Sequence, residues 1–206
     1  MQRNALLPPI QSSFLSCPKD VEIILNKLFV ESQQYSNYLK RLLIINTPDC
    51  LNPNISRYDE IVSEYTVKNL YDKSYIRLSP KLELKEHEDV MSYILIGFDN
   101  FQTNSANERF RDCIVNFDII CHTNNWTMEN FKMRPLMIAG YIDGILNFSK
   151  LSGVGEFIFL GCQEVILSDE LAGYTLSYEA VHFTEDDAKL EELSSKWENI
   201  IQSYTD

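Results

Sequence analysis

The residues Arg111–Trp126, RDCIVNFDIICHTNNW, decide the fold. Cys113, Val115, Phe117, Ile119 and Cys121 alternate onto one face of a strand. Asn116, Asp118 and His122 fall on the other face, mixed with Ile114 and Ile120. A polar turn leads to RPLMIAGYIDGILN, where Ile138, Tyr141, Ile142, Ile145 and Leu146 recur at helical spacing. Pro135 favours a helix start, so a helix is expected from about Arg134 to Phe148. The turn LSGVG and two strands, EFIFLGCQEVIL and AGYTLSYEAVH joined by SDEL, complete a strand–helix–strand–strand unit ending at His182.

Upstream, Met91–Phe98 (MSYILIGF) is apolar on both faces, as a covered strand would be. Ser74–Glu83 (SYIRLSPKLE) is broken by Pro80 and reads as an edge strand or two short pieces. The run Asn100–Glu108 (NFQTNSANE) reads as a polar loop or hairpin tip. A first helix is expected with Ser16 as its cap, Pro18 in its first turn and Asp20 and Glu22 on its dipole. Val21, Ile24, Leu25, Leu28 and Phe29 form its stripe, which resumes at Tyr35, Tyr38, Leu39, Leu42 and Leu43 before the breaker TPDCLNPN. A weaker helix is expected over Ser56–Tyr71.

At the far end, Thr184 precedes three acids and caps a helix striped by Leu190, Leu193, Trp197, Ile200 and Tyr204. Pro8-Pro9 and their small polar neighbours mark an extended arm that can order against a neighbouring subunit. The domain plan is an arm over 1–16 and one α+β domain over 17–206. Within it lie a helical region (17–72), a sheet (74–183) with its central helix (134–148), and a C-terminal helix (185–204).

Composition narrows the function classes. A chain of 206 residues, 45% hydrophobic and 12% aromatic, can bury a real core. Eighteen basic against thirty acidic residues leave a net charge of -12, which opposes unassisted nucleic-acid binding. Many acidic proteins are simply soluble, and charge alone says no more. Five cysteines without close pairing argue against a disulfide framework and for a reducing cytoplasm; Cys113 and Cys121 share a strand face as small core residues. No stretch reaches the roughly 20 apolar residues of a membrane span.

Catalytic chemistry is sparse. His122 lacks a nucleophile or ligand partner at usable spacing, and Trp126 reads as a lid over the helix start. Glu83-Leu84-Lys85 forms an E-x-K half-motif to which Asp118 would add a second carboxylate for Mg²⁺, as in a metal-dependent nuclease. That motif runs into the charged stretch KEHED, and no Lys/Arg cluster offers a DNA groove. Gly153 and Gly155 give a positive-φ turn without the spacing of a phosphate loop. Asp143 is a lone carboxylate that caps, pairs with an Arg across an interface, or faces solvent. Gly140 and Gly144 weaken their helix by about 1 kcal/mol each, a cost that is either simply tolerated or explained by close approach to the sheet or to another subunit. No catalytic residue, cofactor or metal is expected. The function is that of a non-enzyme.

The order strand–HxxW–RPxxIAGYIDGILN–LSGVG–strand–AGYxLxYxAxH, over roughly Tyr75–His182, resembles proteins of tailed-bacteriophage necks and tails. The similarity is greatest to head–tail joining and tail-terminator proteins. It implies an antiparallel sheet flanked by helices. With the segments above, the fold class is α+β, with an N-terminal helical region and a C-terminal helix. It also implies a virion protein, assembled in the host cytoplasm, that forms a homo-oligomeric ring, usually a hexamer and in some connectors a dodecamer. Partners would be further copies and other neck or tail-tube proteins. DNA would only pass through a lumen whose acidity keeps it from sticking, and no membrane is involved.

On that basis the polar hairpin near Asn100–Glu108 and the arm Met1–Ser16 become inter-subunit contacts. Interface candidates are Gly140, Asp143 and Gly144 on one helix, the edge near Pro80, and Trp197. A ring joins two different patches of each subunit. The competing readings are the nuclease and a regulatory protein-binding module that presents Trp197.

Overall fold

Val115, Phe117 and Ile119, three alternate residues of the expected central strand, are all fully buried. The computed structural model describes residues 14, 17–78, 90–105, 111–152 and 154–182. Its helices are α1 (Cys17–Asn26), α2 (Gln33–Ile44), α3 (Ser56–Ser63), α4 (Val67–Asp72) and α5 (Arg134–Leu146). Its strands are β1 (Ile76–Arg77), β2 (Ser92–Thr103), β3 (Arg111–His122), β4 (Lys150–Leu151), β5 (Gly155–Glu156), β6 (Ile158–Ile166) and β7 (Leu171–His182).

Five strands form one sheet in the order β1-β2-β3-β7-β6. Every pairing is antiparallel except that of β1 with β2. The fold is therefore α+β with a mostly antiparallel sheet, as the sequence indicates. Period-two alternation places Ile94, Ile96, Cys113, Val115, Phe117, Ile119, Cys121, Leu176 and Tyr178 on the face that meets the helices. Against them pack Ile138, Ile142, Ile145 and Leu146 of α5 and Ile24, Leu25, Leu39, Leu42 and Leu43 of α1 and α2. Truncating one such buried Leu or Phe to Ala costs about 2–5 kcal/mol. On the other face Tyr93, Leu95, Ile120 and Leu171 form a smaller buried cluster, so β2 is covered on both faces over its first half.

Several boundaries differ from the sequence reading, each for a local reason. The first two helices are joined by a π-helical turn, Lys27–Glu31. Ser32 and Ser36 hydroxyls donate to the carbonyls of Lys27 and Leu28 there, and Leu28 and Phe29 stay in the core. The helix expected over Ser56–Tyr71 is two helices, because Thr66 and Asn69 form a capping box that starts a new one. The loop expected from Asn100 is instead the end of β2, which pairs with β3 out to Thr103. A bulge between Asp99 and Gln102, with Asn100 at φ 51°, carries the polar residues through the ladder. Of the stretch Ser74–Glu83 only Ile76–Arg77 is strand among the described residues. The expected C-terminal helix and the arm before Phe14 lie outside the described residues.

Candidate functional site

The connection from β3 to α5 closes as a tight hairpin. Thr127 bridges Met133, and the Met128 amide donates to the Lys132 carbonyl at 2.8 Å. At its tip Asn130 and Phe131 both adopt left-handed backbone, with φ of 59° and 61°. Bulky residues are rare in that region, and each such residue costs about 1–3 kcal/mol. Phe131 is nonetheless 99% exposed, and Met133 and Leu136 after it are also exposed. Phe148 repeats the pattern after α5, with φ 59° and 71% exposure. A strained backbone here holds two aromatic rings in solvent.

The second feature is β6. It pairs only with β7 among the described residues, so no strand lies along its outer side over Ile158–Ile166. Ile158, Phe159, Leu160, Ile166 and Leu167 are exposed, Ile166 by 72%. From Glu156 to Glu170 there is neither Lys, Arg nor Pro, the residues that ordinarily protect an edge from pairing. Cys162, near the middle, is the exposed member of the five cysteines. The Phe159 amide donates to Asn147 Oδ1 at 3.3 Å, which ties the edge to the end of α5.

The interface candidates separate on this frame. Gly140 and Gly144 lie on the exposed side of α5, and an added Cβ at either would meet nothing within 4 Å. Close approach to the sheet, one of the two reasons expected for them, is therefore absent. Asp143 does not face solvent alone. The Tyr178 hydroxyl of β7 donates to its Oδ1 at 2.9 Å. Burial raises the Tyr178 pKa, and the hydrogen bond to Asp143 adds to this. Pro80 and Trp197 lie outside the described residues, as do Glu83 and Lys85.

Asp118 accepts a hydrogen bond from the Thr175 hydroxyl, and Asn116 accepts one from Ser177 at 2.7 Å, making a polar ladder on the open sheet face. His122 is buried, and its Nδ1 accepts the Asn124 amide at 3.1 Å, a structural role. Trp126 lies against Tyr174 of β7, ring centroids 6.3 Å apart, and its backbone carbonyl accepts the Arg134 amide at 2.8 Å at the start of α5. Gly155 has the expected positive φ, 76°, and opens β5, while Gly153 lies outside the described residues. Among the described residues no three His, Cys, Asp or Glu side chains stand together as metal ligands, and no helix is long and apolar enough to cross a membrane.

Sequence reasoning missed Phe131, the β6 edge and Arg134. An aromatic alone in a polar turn, ENFK, and an apolar run without a guarding charge were the signals for the first two. Arg134 is fully buried and donates to the carbonyls of Asn125, Leu42, Ile45 and Thr47 at 2.7–2.9 Å. It fixes the base of the hairpin that carries Phe131.

No curated protein matches this sequence. Residues 36–180, from the first turn of α2 into the last strand of the sheet, match the model of a protein family that carries a Bacillus phage-type gene name. The chain belongs to the YomW family and is phage-associated.

Proposed function

We propose that this chain is a structural subunit of a tailed-phage particle, forming a ring at the head–tail junction or at the end of the tail. The observation that carries this reading is the β6 edge: a nine-residue strand with no strand partner on its outer side among the described residues, bearing exposed apolar side chains. Such an edge associates with another strand unless something covers it. Phe131 and Phe148 supply aromatic anchors of the kind that dominate interfaces. Two different patches, the hairpin knob and the strand edge, suit a head-to-tail contact that closes into a ring. A net charge of -12 suits a channel that DNA traverses without binding.

The test is made on particles. Purified virions of the phage that encodes the chain are analysed by mass spectrometry and by electron microscopy with an antibody to the chain. Label at the neck or tail end in fixed copy number is expected. Absence from virions, or turnover by the free protein as an enzyme, would sink the reading.

A further inference from the structure

We infer that the β6 edge receives residues 1–13 of a neighbouring copy, added to the sheet as a further strand. This deepens the ring reading and rests on it for the presence of a neighbour. The arm departs from the far side of the sheet. Phe14 lies edge-on against Phe101 of β2, ring centroids 4.9 Å apart, and β2 is separated from β6 by β3 and β7. Three strand steps span about 14 Å. Thirteen extended residues reach roughly 43 Å, about three times that width. The contact runs from the arm beside β2 of one copy to the β6 edge of the next, two different patches, so it is head-to-tail and continues around a ring.

Charge and sequence favour this occupant. Residues 156–170 around β6 hold Glu156, Glu164, Asp169 and Glu170 and no basic residue, while residues 1–13 hold Arg3 and no acidic residue. Ala5, Leu6, Leu7 and Ile10 supply apolar side chains to cover Ile158, Leu160 and Ile166. Pro8 and Pro9 lack amide hydrogens and, being adjacent, face opposite sides of an extended chain. One removes an outward donor, which keeps the added strand from templating another, and the other interrupts the ladder with β6, so pairing is confined to the residues on either side of the Pro pair.

Cys162 makes the contact testable. In the full chain with Cys17→Ser, Ala5→Cys, Leu6→Cys or Leu7→Cys is introduced singly, and the protein is oxidised and run on a non-reducing gel. A ladder of dimers, trimers and higher species is expected from at least one position, lost with Cys162→Ser and reduced about tenfold by Ile166→Lys. Monomers linked internally would place the arm on its own subunit and overturn the exchange. Dimers formed without the introduced thiol would place a second β6 there, and no linkage at all would leave the edge to another partner; either result also overturns it. The ladder is read on the purified chain and the ring on virions, so each inference can fail alone.

Discussion

Arg134 Nη1, on the first turn of α5, donates to the Leu42 carbonyl at 2.7 Å and so joins two helices whose residues stand 92 positions apart. The same nitrogen reaches the Ile45 carbonyl at 2.9 Å, placing a cation at the C-terminal end of α2, where the helix dipole is negative. Nε and Nη2 hold Asn125 and Thr47. A planar guanidinium can satisfy four carbonyls at once, which an ammonium cannot.

Replacing Arg134 by Met strands those carbonyls in the interior. Each buried unsatisfied acceptor costs about 1–3 kcal/mol, so a total loss of at least about 3 kcal/mol is expected. Arg134→Lys should recover only part of it. Urea unfolding followed by circular dichroism measures both, and a Met variant within about 1 kcal/mol of the parent contradicts the assignment.

Tyr178 makes stability fall at high pH. Its folded pKa is raised above the unfolded value of 10.0 by burial and by the bond to Asp143. The folded state therefore holds the proton more tightly, and the stabilisation is complete below pH 10 and lost as pH climbs above it. Thermal melts from pH 8 to 11 should show this decline, and Tyr178→Phe should flatten it. An unchanged slope in the Phe variant would show that other groups carry the effect.

Gly140 and Gly144 give a prediction of opposite sign for subunit and assembly. With open space at both positions, Ala should raise subunit stability by about 0.5–1 kcal/mol each. If a neighbour packs on this helix face, the same substitutions should weaken ring formation. Gly173 is the contrast: a Cβ there would stand 1.7 Å from the Ile119 carbonyl oxygen. Gly173→Ala should lose several times what the helix variants gain, by about 2 kcal/mol or more.

Phe131→Gly should remove the left-handed strain and stabilise the subunit by up to about 1 kcal/mol, while reducing incorporation into particles. Differential scanning calorimetry and virion mass spectrometry read the two effects. Loss of stability together with unchanged incorporation would show that the ring is not an anchor.

Thiol reactivity should follow burial. Cys162 is expected to react with a maleimide at pH 8 well before Cys50, Cys113 and Cys121, which are buried. Burial pushes the Cys121 thiol up to about 12, so almost no thiolate is present there. Mass-spectrometric mapping of partial labelling decides the order.

Local signals carried much of the architecture. Alternation along Arg111–His122 and the helical stripe of Ile138, Ile142 and Ile145 are short-range patterns, and both elements form where the pattern lies. The break at Thr66 was legible too, since Thr and Asn three apart make a capping box, but the apolar period hid it. Polar residues at Asn100–Thr103 misled, because pairing with β3 outweighs their loop preference.

The candidate site was much less legible. Which strand becomes an edge depends on strand order, and an apolar run without a guarding charge, as in β6, suits a covered strand as well as an edge. Only the tertiary order β1-β2-β3-β7-β6 leaves β6 at the edge and its side chains in solvent. Likewise Asp143 finds Tyr178, and Arg134 finds α2, through contacts 35 and 92 residues long. The sequence by itself determined composition class, fold class and the type of most elements. The tertiary structure decided which surfaces stay open, because exposure is set by neighbours distant in the chain and not by the residues themselves.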